Sequence, residues 1–211
     1  MLAIAHRSGN TVAGLREALD LGVDLVEADV HDYRGVLEMR HHKLFGPWHL
    51  WDKWEIVSRR DFSRVELSQV LDELGDDPRL MIDLKGKGPG LAPAVSELLR
   101  TRAPGVPVTV CTKEWEALDA FDPVVRRVLS VANRRQLAAL RRRLAREPVY
   151  GVSVRLRLLT PELMAELRDR TDVVMAWRVD TPEALALARG LGVGAIISKD
   201  LGMLADVIAD R

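Results

Sequence analysis

The feature that most constrains the fold is a regular alternation of short strand-like runs and helix-period segments along the whole chain. Such alternation is typical of a parallel sheet whose crossover connections are helices. We predict nine strands, at residues 2–5, 24–30, 36–40, 79–84, 106–111, 127–131, 149–154, 173–179 and 195–198. We predict helices over residues 11–21, 63–74, 91–102, 134–146, 160–170, 181–191 and 201–209. Thr160-Pro161 and Thr181-Pro182 each place a capping hydroxyl before proline at a helix start.

The third predicted strand follows the second too closely for a crossover helix, and setting this hairpin-like strand aside leaves eight β/α units. A closed barrel is favoured over an open doubly wound sheet, because no Gly-x-Gly-x-x-Gly turn marks a dinucleotide crevice. The expected fold class is α/β, a (β/α)8 TIM barrel with short loops. We expect residues 1–211 to form one compact domain.

Composition excludes several classes of function. The 31 basic and 31 acidic side chains cancel, so no overall positive field would recruit nucleic acid or an anionic membrane. The arginine-rich stretch at 134–146 carries leucines at helical spacing, which indicates a solvated helix face and no nucleic-acid partner. The single cysteine, Cys111, excludes an internal disulfide and a thiolate metal site. We find no signal peptide and no transmembrane segment, and we predict a soluble, cytoplasmic protein.

One segment breaks the alternation. Residues 45–54 hold three of the five tryptophans, and we assign them to neither helix nor strand. One interpretation is a small aromatic cluster that plugs one end of the barrel. The other is a flap over the active site whose indoles stack on the alcohol part of a substrate.

Polar residues gather at the ends of the early strands. Barrel enzymes place their chemistry at the carboxyl ends of strands, so these residues are the candidate site. They are His6 and Arg7 after the first strand, Glu27 and Asp29 on the second, His41 and His42 after the hairpin, and Asp83 and Lys85 at the third barrel strand.

Three converging carboxylates, Glu27, Asp29 and Asp83, would repel one another unless a cation neutralised them. Ligation by oxygen alone favours one divalent ion, Mg²⁺ or Ca²⁺, which would polarise a phosphoryl group. The ordinary alternative is that Glu27 and Asp29 pair with arginines.

His6 and His41 arrive from different strands, which suits an acid and a base on opposite sides of a phosphorus atom. Arg7 and Lys85 would then supply positive charge to the phosphate oxygens. The alternative for His6 is a simple hydrogen bond to the backbone at the strand end.

Taken in order, these segments resemble the motifs of the glycerophosphodiester phosphodiesterase family, within the phosphatidylinositol phosphodiesterase-like superfamily of TIM barrels. The similar segments are His6-Arg7-Ser8, Gly9-Asn10-Thr11, Gly22-Val23-Asp24, Glu27-Ala28-Asp29-Val30, Arg34-Gly35, His41-His42, Asp83-Leu84-Lys85, Trp177-Arg178-Val179-Asp180 and residues 192–200.

The resemblance implies a hydrolase of small-molecule phosphodiesters in lipid metabolism that yields an alcohol and sn-glycerol 3-phosphate. It implies metal ligation by Glu27, Asp29 and Asp83, and acid–base roles for His6 and His41. Trp177, at a strand end, either stacks on the non-phosphate part of the substrate or is a core indole.

The chain departs from the family pattern at Gly9, His42 and Asp83. Two alternatives therefore stay open. One is a catalytically impaired relative that binds a phosphorylated ligand, and the other is a phospholipase D-like enzyme of the same superfamily.

Overall fold

Eight parallel strands form a closed barrel, which confirms the predicted fold class. The computed structural model describes residues 1–62, 64–86 and 88–211. In chain order the strands are β1 (Leu2–Ala5), β2 (Leu25–Tyr33), β3 (Val36–Met39), β4 (Lys43–Phe45), β5 (His49–Asp52), β6 (Glu55–Ser58), β7 (Val65–Glu66), β8 (Leu80–Leu84), β9 (Thr109–Thr112), β10 (Arg126–Val131), β11 (Val149–Arg155), β12 (Thr171–Trp177) and β13 (Ala195–Ser198). The order around the barrel is β1, β2, β8, β9, β10, β11, β12, β13 and back to β1.

Helices connect the barrel strands on the outside. They are α1 (Val12–Leu21), α2 (Leu67–Leu74), α3 (Leu91–Arg102), α4 (Arg134–Leu144), α5 (Pro161–Arg168), α6 (Pro182–Leu191) and α7 (Leu201–Ala209). The connection from β9 to β10 contains a 3-10 helix, Trp115–Ala120. The Thr160 and Thr181 hydroxyls accept hydrogen bonds from backbone N–H groups at the starts of α5 and α6, so both predicted caps are confirmed.

The core has two layers, because each barrel strand is buried on both faces. The larger layer lies between strands and helices, and it includes Leu15 of α1, Leu71 of α2 and Leu204 of α7. The smaller layer fills the barrel interior with Ile4, Leu25, Met81, Cys111, Val128, Met175, Ala195 and Ile197. This packed interior supports the residues at the rim above it.

The tryptophan-rich segment belongs to a small antiparallel sheet of strands β4, β5 and β6. The prediction that residues 45–54 form neither helix nor strand is therefore wrong. We call residues 43–58 the rim sheet. Its inner face packs through Leu50, which is buried. Arg59 anchors its end, since the guanidinium donates to buried Glu38 over 3.1 Å and the backbone N–H donates to the Trp48 carbonyl over 2.9 Å.

Element bounds differ from the predicted ones by a few residues. The helix predicted over 63–74 begins at Leu67, after a short strand, and Ser63 lies outside the described residues. Glu66 and Gln69 form a capping box that fixes this start. Within the described parts of the chain, no helix has the length and apolar character needed to cross a bilayer.

Candidate active site

Three carboxylates meet at the carboxyl-terminal rim of the barrel. Glu27 and Asp29 lie two residues apart on β2, so their side chains share one face of the strand. Asp29 is in register with Asp83 on the neighbouring strand β8. One oxygen of each residue lies within 4.8 Å of the others, and Glu27 and Asp29 are buried. The structure therefore brings the three predicted metal ligands together.

Lys85 is the cation nearest to this cluster. Its ammonium lies 2.7 Å from Asp29 Oδ1 and also contacts the Asp83 carboxylate. Burial alone would lower the pKa of Lys85, yet the charges of Asp83 and Asp29 raise it above its ordinary value. Lys85 is thus held as a permanent positive charge that offsets part of the charge of the carboxylates.

The lysine does not neutralise the whole cluster. Burial, followed by the negative charge of Asp29, raises the pKa of Glu27 well above its ordinary value. Burial likewise raises the pKa of Asp83. Arg7 adds a second positive charge, since its Nε lies 3.6 Å from Asp29 Oδ2. A cation that contacted Glu27 and Asp83 as well would lower the cost of ionising all three carboxylates.

The donor set fits a hard divalent cation. All candidate ligand atoms are carboxylate oxygens, which Mg²⁺ and Ca²⁺ prefer. Asp29 Oδ1 is buried and accepts no hydrogen bond of good geometry, although the Lys85 ammonium lies beside it. An ion bound by Glu27, Asp29 and Asp83 would give this oxygen a second positive partner beside Lys85.

His41 follows the hairpin and lies directly beside the cluster. Its Nδ1 is 3.0 Å from Asp29 Oδ2, so this nitrogen carries the hydrogen that Asp29 accepts. Its Nε2 contacts the Arg7 guanidinium. Burial opposes ionisation of Asp29, but the hydrogen bond with His41 and the charge of Lys85 keep its pKa below the ordinary value.

His6 and Arg7 leave the end of β1 on the same rim. Arg7 has a left-handed backbone (φ 65°), and its N–H donates to Glu27 Oε2 over 2.7 Å. Burial and the charge of Arg7 lower the pKa of His6 to about 3, so its imidazole is neutral at physiological pH. Nδ1 of His6 is buried without a hydrogen-bond partner among the described residues.

Asn10 is a site residue that sequence reasoning missed. Its Nδ2 donates to Asp29 Oδ2 over 3.1 Å, and its Oδ1 accepts from the Asp29 backbone N–H over 2.7 Å. The Gly9-Asn10-Thr11 segment was the available signal, because it matches a family motif beside the first histidine. A side chain at Gly9 would collide with β2, since its Cβ would lie 2.7 Å from Ala28 Cβ.

The rim sheet adds two further residues that sequence reasoning missed. Asp52 lies 3.6 Å from His41 Nε2 and 3.7 Å from the Arg7 guanidinium, and Lys53 lines the same pocket. The tryptophans of the sheet do not line it, and they are exposed by 66% (Trp48), 41% (Trp51) and 99% (Trp54). The indoles therefore neither plug the barrel nor form a flap that reaches into this pocket.

The rim encloses a pocket of about 510 Å³. It contains the predicted residues His6, Arg7, Glu27, His41, Asp83, Lys85 and Trp177. Trp177 is half-buried, and its Nε1 donates to the Ser153 carbonyl over 3.3 Å. His42, by contrast, points away from the pocket and lies 3.5 Å from Glu55 and edge-on to Phe62.

Comparison with known protein families and with curated proteins gives no match. Solved structures do match over the whole fold. A glycerophosphodiester phosphodiesterase from Thermotoga maritima superposes with a TM-score of 0.76 at 18% identity, covering 98% of each chain. One from Parabacteroides distasonis gives 0.76 at 16% identity, covering 100% of this chain and 97% of the other.

A phosphodiesterase from Oleispira antarctica, solved with its product sn-glycerol-3-phosphate, gives a TM-score of 0.78 at 15% identity. The match covers 99% of this chain and 97% of the other. At these identities the likeness establishes a shared barrel fold.

Proposed function

We propose that the chain is a metal-dependent glycerophosphodiester phosphodiesterase, which hydrolyses its substrate to an alcohol and sn-glycerol 3-phosphate. The observation that carries the proposal is the grouping of Glu27, Asp29 and Asp83 at the rim with a histidine from each of two connections beside them. The resemblance to phosphodiesterases in motif order and in fold supports the same activity.

Glu27, Asp29 and Asp83 would hold one divalent cation, Mg²⁺ or Ca²⁺. When bound, the ion supplies Lewis-acid polarisation of the phosphoryl group and neutralises charge in the transition state. Lys85 and Asn10 hold Asp29 in place through the contacts described above.

The two histidines divide the proton transfers. His6 lines the pocket, and we assign it the role of base, which accepts the proton of the water whose oxygen forms the new bond to phosphorus. The hydrogen bond between His41 Nδ1 and Asp29 orients the imidazole, and we assign His41 the role of acid, which passes a proton from Nε2 to the alcohol oxygen as the phosphorus–oxygen bond breaks.

Arg7 binds the phosphate. In the structure its guanidinium lies on His41 Nε2 and near Asp52. A phosphate group is the better partner for a guanidinium, because two of its oxygens accept two parallel hydrogen bonds. Movement of Arg7 onto the substrate would free His41 Nε2 to take up a proton from solvent and then pass that proton to the alcohol oxygen.

The test is hydrolysis of glycerophosphocholine and bis(p-nitrophenyl) phosphate with Mg²⁺, with Ca²⁺ and with EDTA. We expect metal-dependent turnover that falls about 100-fold or more in His6→Ala and in His41→Ala. His49→Ala is the matched control, since His49 is exposed on the rim sheet and does not line the pocket.

A second candidate is a protein that binds a phosphorylated ligand without cleaving it. The contact between Arg7 and His41 Nε2 favours it, because this contact occupies the nitrogen that catalysis needs. Tight binding of sn-glycerol 3-phosphate with no turnover under any metal condition would support the binder and contradict the hydrolase.

A further inference from the structure

One half of the pocket carries an excess of positive charge that the proposed chemistry does not use. Its cationic side chains are Lys113 after β9, Arg155 on β11, Arg178 after β12, Lys199 after β13, and Lys53 of the rim sheet. Among residues 1–62, 64–86 and 88–211, none of these five forms an ion pair with a carboxylate. We call them the cationic wall.

The carboxylates on this side are already engaged. Asp180 accepts hydrogen bonds from the Ser198 hydroxyl over 3.3 Å and from the Lys199 N–H over 3.0 Å. Asp52 faces Arg7 and His41. The charges of Asp180 and Asp52 also act on Lys199, but two carboxylates beside five cations leave the cationic wall with a net positive charge.

The members of the wall lie close enough to repel one another. Partial burial, and then the charges of Arg157 and Arg178, lower the pKa of Arg155. Partial burial, and then the charges of Arg7 and Lys53, lower the pKa of Lys199. A bound anion would relieve this repulsion.

Arg155 and Arg178 face the carboxylate cluster across the barrel, whereas Lys113 follows β9, the strand next to β8. Around the ring of eight strands, β11 with Arg155 lies opposite β2, which carries Glu27 and Asp29. Likewise β12 with Trp177 lies opposite β8, which carries Asp83. If the phosphate of the substrate binds at the cluster, the alcohol part of the substrate crosses the pocket and reaches the cationic wall.

Trp177 is poorly placed to hold a cationic headgroup. The Lys113 ammonium lies 5.8 Å from its ring centroid, and the Arg155 guanidinium lies 5.7 Å from it. Protein cations thus already use the electron-rich ring, and a quaternary ammonium would meet their charge. Next to it, Arg178 has a left-handed backbone (φ 66°), which residues other than glycine rarely adopt.

We propose that the substrate carries a second anionic group, a phosphomonoester or a carboxylate, on the arm that crosses the pocket toward the cationic wall. This inference rests on the proposed phosphodiesterase function. Such a group would accept charge-assisted hydrogen bonds from Lys113 and Arg155.

Three synthetic diesters of sn-glycerol 3-phosphate test the proposal, with choline, hydroxyethyl and phosphoethyl as the second alcohol. Both kcat/KM and the dissociation constant are measured, the latter by calorimetry. We expect the phosphoethyl diester to be favoured over the hydroxyethyl diester about tenfold or more, and the choline diester to be the poorest.

Variants assign the effect to the wall. Lys113→Gln and Arg155→Gln should bring the ratio between phosphoethyl and hydroxyethyl diesters toward one. Arg142→Gln is the control for loss of one positive charge, because Arg142 is exposed on the outer helix α4, and it should keep the ratio of the wild type.

The outcomes separate the two proposals. Equal or better use of the choline diester, or a ratio that Arg155→Gln leaves unchanged, overturns the second anionic group while the hydrolase stands. If no diester is cleaved, the hydrolase fails. Tenfold tighter binding of the phosphoethyl diester would then still support the anionic site, and equal binding would overturn it.

Discussion

The two halves of the barrel rim differ in whether their charged side chains have partners. On the side of β1, β2 and β8, buried carboxylates are contacted by Lys85, His41 and Asn10. On the side of β9 to β13, cations face the pocket, and among the described residues none of them forms an ion pair with a carboxylate. The comparison teaches that a barrel can keep the two kinds of charge on separate sides of one rim. Under the two proposals, the carboxylate side would carry the chemistry and the cationic side would select the ligand.

The largest expected effect comes from the carboxylate side. Asp83→Asn keeps the shape of the side chain but removes one charged oxygen ligand from the cluster. Because an amide is a weaker ligand for a hard cation, we expect kcat/KM to fall at least about 100-fold, with weaker binding of the divalent ion. Kinetics at several metal concentrations measure both effects. Unchanged metal dependence would remove Asp83 from the site.

A smaller effect is expected from the side chain that positions Asp29. Asn10→Ala removes both hydrogen bonds between Asn10 and Asp29. Removing the hydrogen-bond partner of a metal ligand lowers metal affinity about 10-fold or somewhat more. We therefore expect Asn10→Ala to bind the divalent ion more weakly by a factor of that order. Asn133→Ala is a control amide, because Asn133 only caps the outer helix α4. Equal metal affinities in wild type and Asn10→Ala would contradict the positioning role.

The buried histidine predicts a pH effect on stability. His6 has a folded-state pKa of about 3 and an ordinary value of 6.5. Between these values the unfolded chain binds more protons than the folded chain, so the free energy of unfolding falls as pH is lowered. Urea unfolding from about pH 6.5 to 4.5 should show a smaller fall for His6→Gln than for wild type. If the free energy of unfolding falls equally with pH in both proteins, His6 is not held neutral by burial.

The smallest effect is expected at the rim sheet. Trp54 lies at the turn between β5 and β6, fully exposed and outside the pocket. Trp54→Ala should change the KM for choline and ethanolamine diesters by less than about twofold and the free energy of unfolding by about 0.5 kcal/mol or less. A several-fold rise in KM would show that the indole contacts substrate after all.

The barrel could be predicted because its strands are buried on both faces and therefore appear as short apolar runs. Strand ends were less certain, since the local pattern does not show where hydrogen bonding stops. The predicted strand at 106–111 is observed at Thr109–Thr112, and the predicted strand at 24–30 extends to Tyr33. The polar residues at strand ends could be predicted as a group because a parallel barrel collects its carboxyl ends at one rim.

The rim sheet could not be predicted for a physical reason. Its β5–β6 turn is Lys53-Trp54, and Lys53 adopts a left-handed backbone (φ 54°) that usually requires glycine or asparagine. No turn signal therefore separates β5 from β6, and the contribution of Asp52 to the site could not be predicted. The position of Asn10 follows the left-handed backbone at Arg7. The local sequence gives no signal for this conformation, so the contact between Asn10 and Asp29 could not be predicted.

The central claim is that Glu27, Asp29 and Asp83 together bind one divalent cation. Calorimetric titration of Mg²⁺ and of Ca²⁺ into the purified protein tests it most directly, with Glu27→Gln and Asp83→Asn titrated in parallel. The account predicts one site per chain in the wild type and a loss of about 100-fold or more in affinity in each variant. Absence of binding in the wild type, or equal affinity in all three proteins, would contradict it.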